Sequence, residues 1–190
     1  SYSGNILNDM ICEARPQIGT VRSSTFKKGT EDTEKSGNIT KENISAKELK
    51  TKVIDSVKEV SETVNLEEAE VVIGGGRGLG SVENFKLIWD MAELLGGVVG
   101  ATRSAIDENW ISKVHQVGQS GKKIAPKLYI AAGISGATQH VAGITGSDFI
   151  VAINKDEDAP IFELADIGIV GNAMEVLPAL YEEIKKVKEA

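Results

Sequence analysis

From Val71 onward, five short apolar runs punctuate the chain: Val71–Ile73, Val98–Ala101, Leu128–Ala132, Phe149–Ile153 and Ile167–Val170. Each is followed by Gly, Thr or Asn. Runs this short, with no polar position inside them, predict strands buried on both faces. Between the runs the period becomes helical. Phe85, Ile88, Trp89, Ala92 and Leu95 share a face within a predicted helix over 82–95. Segments 104–110 and 137–142 can also form helices. The tail from Ala173 places Leu177, Leu180, Tyr181, Ile184 and Val187 on one face. Lys185, Lys186 and Lys188 fall in its last turns, where cations suit the helix dipole. Pro178 either kinks this helix or begins it. Trp89 and Trp110 read as core residues. Buried strands alternating with helices predict an α/β fold, with a parallel sheet covered on both faces.

The N-terminal third lacks this texture. Met10–Cys12 is a short apolar stretch, followed by Arg15-Pro16. Residues 23–50 are rich in Ser, Thr, Lys and Glu and read as a linker or solvated edge, with one short strand available at Ile39 and Ile44. Residues 50–60 fit helix and strand equally. The division expected is 1–63, the tail of a preceding domain with a polar linker, and 64–190, the α/β domain.

The first strand runs into a glycine series, Gly74, Gly75, Gly76, Gly78 and Gly80, with Arg77 inside it and a helix after it. Strand, glycine turn and helix in that order predict a corner that binds phosphate through backbone N–H groups. The alternative is a tight turn carrying an exposed Arg. No frame gives G-x-G-x-x-G, and Gly121-Lys122 lacks the Walker spacing, so a standard NAD fingerprint and a P-loop are both disfavoured.

In sheets of this kind ligands sit at the carboxyl ends of the strands. The segments there are Gly75–Gly78, Thr102-Arg103, Gly133–His140, Asn154–Asp156 and Gly171-Asn172, with Gln116–Lys122 able to fold over the same rim. All offer glycine, cation, hydroxyl or amide. None offers a Ser–His–Asp set or paired carboxylates. A long, polar, anionic ligand fits them, a dinucleotide better than a mononucleotide. Each residue also has a plainer reading: Arg103 paired with Asp107, His140 bonded to a backbone carbonyl, Ser120 and Asn154 closing turns, and Ser135 capping a helix.

Composition narrows the class. The hydrophobic and charged fractions, 41% and 26%, suit a packed globular core. A net charge of -7 argues against nucleic acid as a partner. Cys12 is the one cysteine, so no intrachain disulfide exists and a reducing, cytoplasmic setting is expected. No apolar run approaches membrane-spanning length, so no membrane insertion is expected. Two His and one Cys make no recognisable metal site.

Three long blocks, GGRGLGSVENFKLIWDMAELLGGVVGATRSAID, QVGQSGKKIAPKLYIAAGISGATQHVAGI and IVAINKDEDAPIFELADIGIV, resemble the FAD-binding domain of the electron transfer flavoprotein alpha subunit. The resemblance runs from about Val64 to the C-terminus. It implies a Rossmann-like doubly wound parallel sheet of the kind shared with deoxyhypusine synthase. It also implies FAD at the strand ends, a beta subunit as partner, and dehydrogenases as electron donors or acceptors. It includes nitrogen-fixation-associated and electron-bifurcating members. The positions that would contact FAD are Arg77, Thr102, Arg103, Val117, Gly118, Gln119, Ser120, Ser135, Gly136, Ala137, Thr138, Gln139, His140, Asn154, Asn172 and Ala173. Arg103 would lie near the isoalloxazine, Ser120 near flavin N5 and His140 near the C2 carbonyl. Thr102 stands where Ser is frequent, and Asn172 where Asp often faces the adenosine end. Such a protein carries electrons rather than transforming a substrate. Two other readings stay open: an NAD-consuming enzyme of the deoxyhypusine synthase or sirtuin type, with His140 as its base, and a nucleotide-binding module without redox activity.

Overall fold

The computed structural model describes residues 9–21, 29, 32–43 and 65–189. The ambiguous segment 50–60 and Ile44 lie outside them. Ile39 is exposed and belongs to no strand, so the short strand expected there does not form around it.

The five apolar runs form the strands of one sheet. They are β1 (Val71–Gly75), β2 (Val98–Ala101), β3 (Leu128–Ala132), β4 (Ile150–Asn154) and β5 (Ile167–Val170). All pairings are parallel, in the order β2-β1-β3-β4-β5. Ile73 is flanked by Val99 and Ile130, so three β-branched residues stack across the sheet centre. The chain steps one way from β1 to β2 and the other way from β3 through β5. Right-handed crossovers in opposite directions put the connections on opposite faces. This is the doubly wound arrangement, and it opens a crevice where β1 and β3 diverge.

The two faces are built differently. On one lie α1 (Phe85–Leu95), the short α2 (Arg103–Asp107) and α4 (Ala173–Glu189). Phe85, Ile88 and Met91 of α1 and Leu177 of α4 pack on Ile73, Ile130 and Ile153. The other face is covered by loops and by the single-turn helix α3 (Thr138–Val141), through Val117, Ile124, Ile144 and Ile161 against Val72, Tyr129 and Ile150. α1 stops at Gly96, left-handed at φ 65°, whose N–H and that of Gly97 cap carbonyls of the last turn. Lys188 near the end of α4 donates to the carbonyl of Leu94, 2.6 Å away, tying both helix ends together. Pro178 lies inside α4 rather than at its start. Trp110 packs edge-on against Phe85. Trp89 is not core: it is 46% exposed and meets His115 edge-on.

The glycine series does not do what its order predicts. Gly74 and Gly75 are the last two residues of β1, and aromatic side chains occupy the space where their side chains would stand. A Cβ on Gly74 would overlap the Tyr129 phenol, and one on Gly75 would lie 2.6 Å from Phe85 Cζ. Gly76 and Gly78 press against the backbone of Gly133.

Candidate functional site

A cleft of about 830 Å³ opens at the carboxyl ends of the strands, within the usual size of a small-molecule site. Of the sixteen positions named from the sequence, Gly136 and Thr138 do not line it and the others do. Gly78, Ser104, Asp107, Gln116, Gly133, Ile134, Lys155 and Asp156 also line it. Their neighbours in sequence carried the signal, since most belong to the same post-strand segments.

The Arg77 corner contributes its side chain and Gly78, but not a cradle of N–H groups. Gly76 N–H donates to Ala132 O, Gly78 to Gly133 O, Leu79 to Gly76 O and Gly80 to Arg77 O, all at 2.9–3.1 Å. These donors are spent inside the protein. The N-terminus of α1 is set back behind a 3-10 turn over Arg77–Leu79. The phosphate corner expected there is therefore corrected to a packing corner with an exposed Arg at its tip.

The loop after β3 is the reverse. Among the described residues, the N–H groups of Ser135, Gly136, Ala137, Thr138 and Gln139 have no acceptor. Ser135, Ala137 and Gln139 line the cleft. Gly136 takes φ 89°, which favours glycine, and a Cβ on it would lie 2.3 Å from Ile161 N. It faces the protein, not the cleft. Ser135 caps no helix, since the residue before α3 is Ala137 and no side chain caps it.

Against this loop lies the segment Gln116–Ser120, which also lines the cleft. Gln116, almost buried, donates from Nε2 to Ser120 Oγ at 2.8 Å. A hydroxyl that accepts this bond keeps its own hydrogen to donate. Gln119 N–H donates to Gln139 O at 2.6 Å, and Gly118 packs against the same carbonyl. The two cleft loops are thus clasped to each other. Thr102 caps α2, its Oγ1 accepting from Ala105 N–H. Arg103, the next residue, meets Asp107 at 3.5 Å, with both side chains more than half exposed. That pair contributes under about 1 kcal/mol and leaves the guanidinium free to turn to a ligand. Asn154 is a turn closer, donating to Ile134 O and accepting from Asp156 N–H. Asn172 caps α4, accepting from Met174 N–H and donating to Glu175.

His140 is buried at the back of the cleft. Its Nδ1 lies 3.1 Å from Val117 O and its Nε2 2.8 Å from the Tyr129 hydroxyl. Burial pushes its pKa down to about 4, against a smaller upward pull from the Val117 carbonyl. Burial also holds the Tyr129 phenol un-ionised. A base with both nitrogens engaged and so little exposure does not serve the NAD-enzyme reading.

The fold and cleft define a doubly wound nucleotide-binding domain whose free N–H donors sit on the loop after the third strand rather than on a glycine fingerprint after the first. Its family follows from comparison. Residues 65–145 match the family model described as the electron transfer flavoprotein FAD-binding domain. The chain is 48% identical over 191 aligned residues to the electron transfer flavoprotein subunit alpha of Thermoanaerobacterium thermosaccharolyticum, covering 99% of this chain and 58% of that protein. It is 51% identical to the corresponding subunit of Megasphaera elsdenii (99% and 57%) and 48% identical to Protein FixB of Azotobacter vinelandii (90% and 48%). The chain belongs to the electron transfer flavoprotein alpha subunit family and carries its FAD-binding domain. It spans less than two thirds of the length of these relatives. No helix among the described residues is long and apolar enough to cross a membrane.

Proposed function

We propose that this chain is the flavin-carrying part of an electron transfer flavoprotein, moving electrons between a dehydrogenase and a downstream acceptor together with a beta subunit. The observation that carries the reading is the run of unpartnered N–H groups from Ser135 to Gln139 beside a cleft of dinucleotide size, with Arg77, Arg103 and Lys155 on its rim. Ser135, Ala137, Thr138 and Gln139 are exposed, so their N–H groups meet water until a ligand supplies an acceptor. Phosphate oxygens do so, and cations at the rim add to them.

FAD, when bound, supplies the electron chemistry, and the protein supplies binding, orientation and electrostatics. The Ser135–Gln139 loop would hold the pyrophosphate. Arg103, anchored at the end of β2, would set a positive charge over the ring system, where a guanidinium stacks better than an ammonium. Ser120, held by Gln116, would present a hydroxyl hydrogen to the ring edge. Asn154 and Asn172 would act through the loops and helix start they fix.

The purified chain is titrated with FAD, FMN and NAD while visible absorption is recorded. A flavin band that survives gel filtration, with FMN far weaker, supports the reading. A colourless chain that binds NAD refutes it. Steady-state transfer from a dehydrogenase should require the beta subunit and the rest of the alpha chain.

A further inference from the structure

We infer that Asn154 is a positioning residue for the loop after β3: its side-chain amide draws the Ile134 carbonyl into the protein and so turns the Ser135 N–H out toward the cleft. A peptide group is planar and trans, so its C=O and N–H point opposite ways. Holding a carbonyl therefore fixes the direction of the next residue's N–H. Asn154 Nδ2 donates to Ile134 O at 2.8 Å. The Ser135 N–H belongs to that same peptide, points away from Asn154, and has no acceptor among the described residues.

Ile134 O is one of a row of carbonyls drawn inward. Ala132 O accepts from Gly76 N–H, Gly133 O from Gly78 N–H and Ser135 O from Ile161 N–H, at 2.9–3.0 Å. A carbonyl oxygen carries partial negative charge and would repel an anion, so withdrawing the carbonyls leaves the N–H side of the loop to face one. Three of these four bonds use a backbone N–H, which any residue but proline supplies. The fourth needs a side chain that donates at this distance. The other end of the Asn154 amide settles its orientation. Oδ1 accepts from Asp156 N–H at 3.0 Å, and since only the oxygen can accept, the nitrogen is the atom left to face Ile134. An aspartate here would serve Asp156 equally well but would present an oxygen to the Ile134 oxygen.

What this anchor serves rests on the function proposed above, in which a pyrophosphate is seated on the loop. Asn154 then decides whether Ser135 can offer its N–H to a phosphate oxygen, and it does so through a bond to the far side of the peptide.

NMR of the full chain is recorded without ligand and with ADP, which carries the diphosphate without a flavin ring. In the unliganded wild type, a scalar coupling across the hydrogen bond should join Asn154 Nδ2 to the Ile134 carbonyl carbon. Its absence overturns the inference before any variant is made. With ADP, the backbone amide signals of Ser135, Ala137 and Gln139 should move together. In Asn154→Asp the Ser135 response should be lost and the Kd for ADP should rise at least roughly tenfold, the worth of one hydrogen bond to a charged group. The charge of the new carboxylate alone would weaken all three responses alike, whereas a released peptide silences Ser135 selectively. Asn154→Ser is uncharged, can still accept from Asp156 N–H and is too short to hold Ile134 O, so it should silence Ser135 in the same way. A Ser135 response that survives in either folded variant overturns the inference. If the wild type binds neither ADP nor FAD, the carrier reading fails, while the coupling in the unliganded chain still decides whether Asn154 holds the peptide.

Discussion

Ala137→Pro removes one of the free N–H groups with the least other change. Ala137 precedes α3 at φ -54° and ψ 142°, and proline holds φ near -65°. Its side chain is exposed, and its own carbonyl, which accepts from His140 and Val141, is retained. Its N–H has no protein acceptor, so no internal hydrogen bond is lost. Stability should hold or rise by about 0.4–1 kcal/mol through the less flexible unfolded chain. FAD affinity should fall. A hydrogen bond to a charged group contributes about 1.5–3 kcal/mol, or roughly tenfold to a hundredfold in Kd. Thermal unfolding without FAD and fluorescence titration with FAD measure the two effects separately. An unchanged melting temperature with FAD affinity within about twofold of wild type would show that phosphate is not seated on this loop.

Arg103→Ala should cost no more than about 0.5 kcal/mol of stability, the worth of an exposed helical pair. It should also lower the flavin reduction potential: about 2 kcal/mol of attraction gained on reduction equals roughly 85 mV for one electron, and spectroelectrochemical potentials agreeing within about 10 mV would make Arg103 an ordinary surface residue. Gly75→Ala should destabilise the fold by about 1–3 kcal/mol by overpacking against Phe85, with no separate loss of FAD affinity once folded; selective loss of FAD would restore the phosphate-corner reading. His140, with its pKa lowered to about 4, is neutral when folded while the unfolded ring takes a proton below about 6.5. Unfolded chains therefore bind more protons between those values. Urea stability should fall on acidification from pH 6.5 to 4, by on the order of 3 kcal/mol, and this part of the slope should vanish in His140→Gln.

The sheet was legible because buried parallel strands leave a signature that needs no partner to interpret. All five runs became strands: three kept their bounds, Phe149–Ile153 shifted by one residue and Val71–Ile73 gained two. Helix α1 began later than its period suggested, at Phe85, because the N–H groups of Phe85 and Lys86 bond three residues back, to Val82 and Glu83, which makes 82–84 a turn. The glycines were misread for a physical reason. A glycine that frees N–H groups for an anion and a glycine that makes room for an aromatic ring look the same in sequence. The ring at Gly74 is 55 residues downstream, on a strand whose register only the fold reveals. Asn154 and Asn172 were placed on the rim correctly, but their amides are committed to turn and helix ends, which local spacing alone does not show. Gln116 was placed in a rim segment but not among the contact positions, because its side chain acts through one bond to Ser120.

The clasp between the two cleft loops has a mechanical consequence. With Gln119 bonded to Gln139, Gly118 seated on the same carbonyl and Gly143 pressed onto Gly118, the two loops cannot part independently. They move as one body or stay still. The entropy of ordering them is spent when the chain folds, so a ligand meets a mould that is already set. Amide exchange in 116–122 and 134–143 should then slow together on binding, rather than one wall closing upon the other.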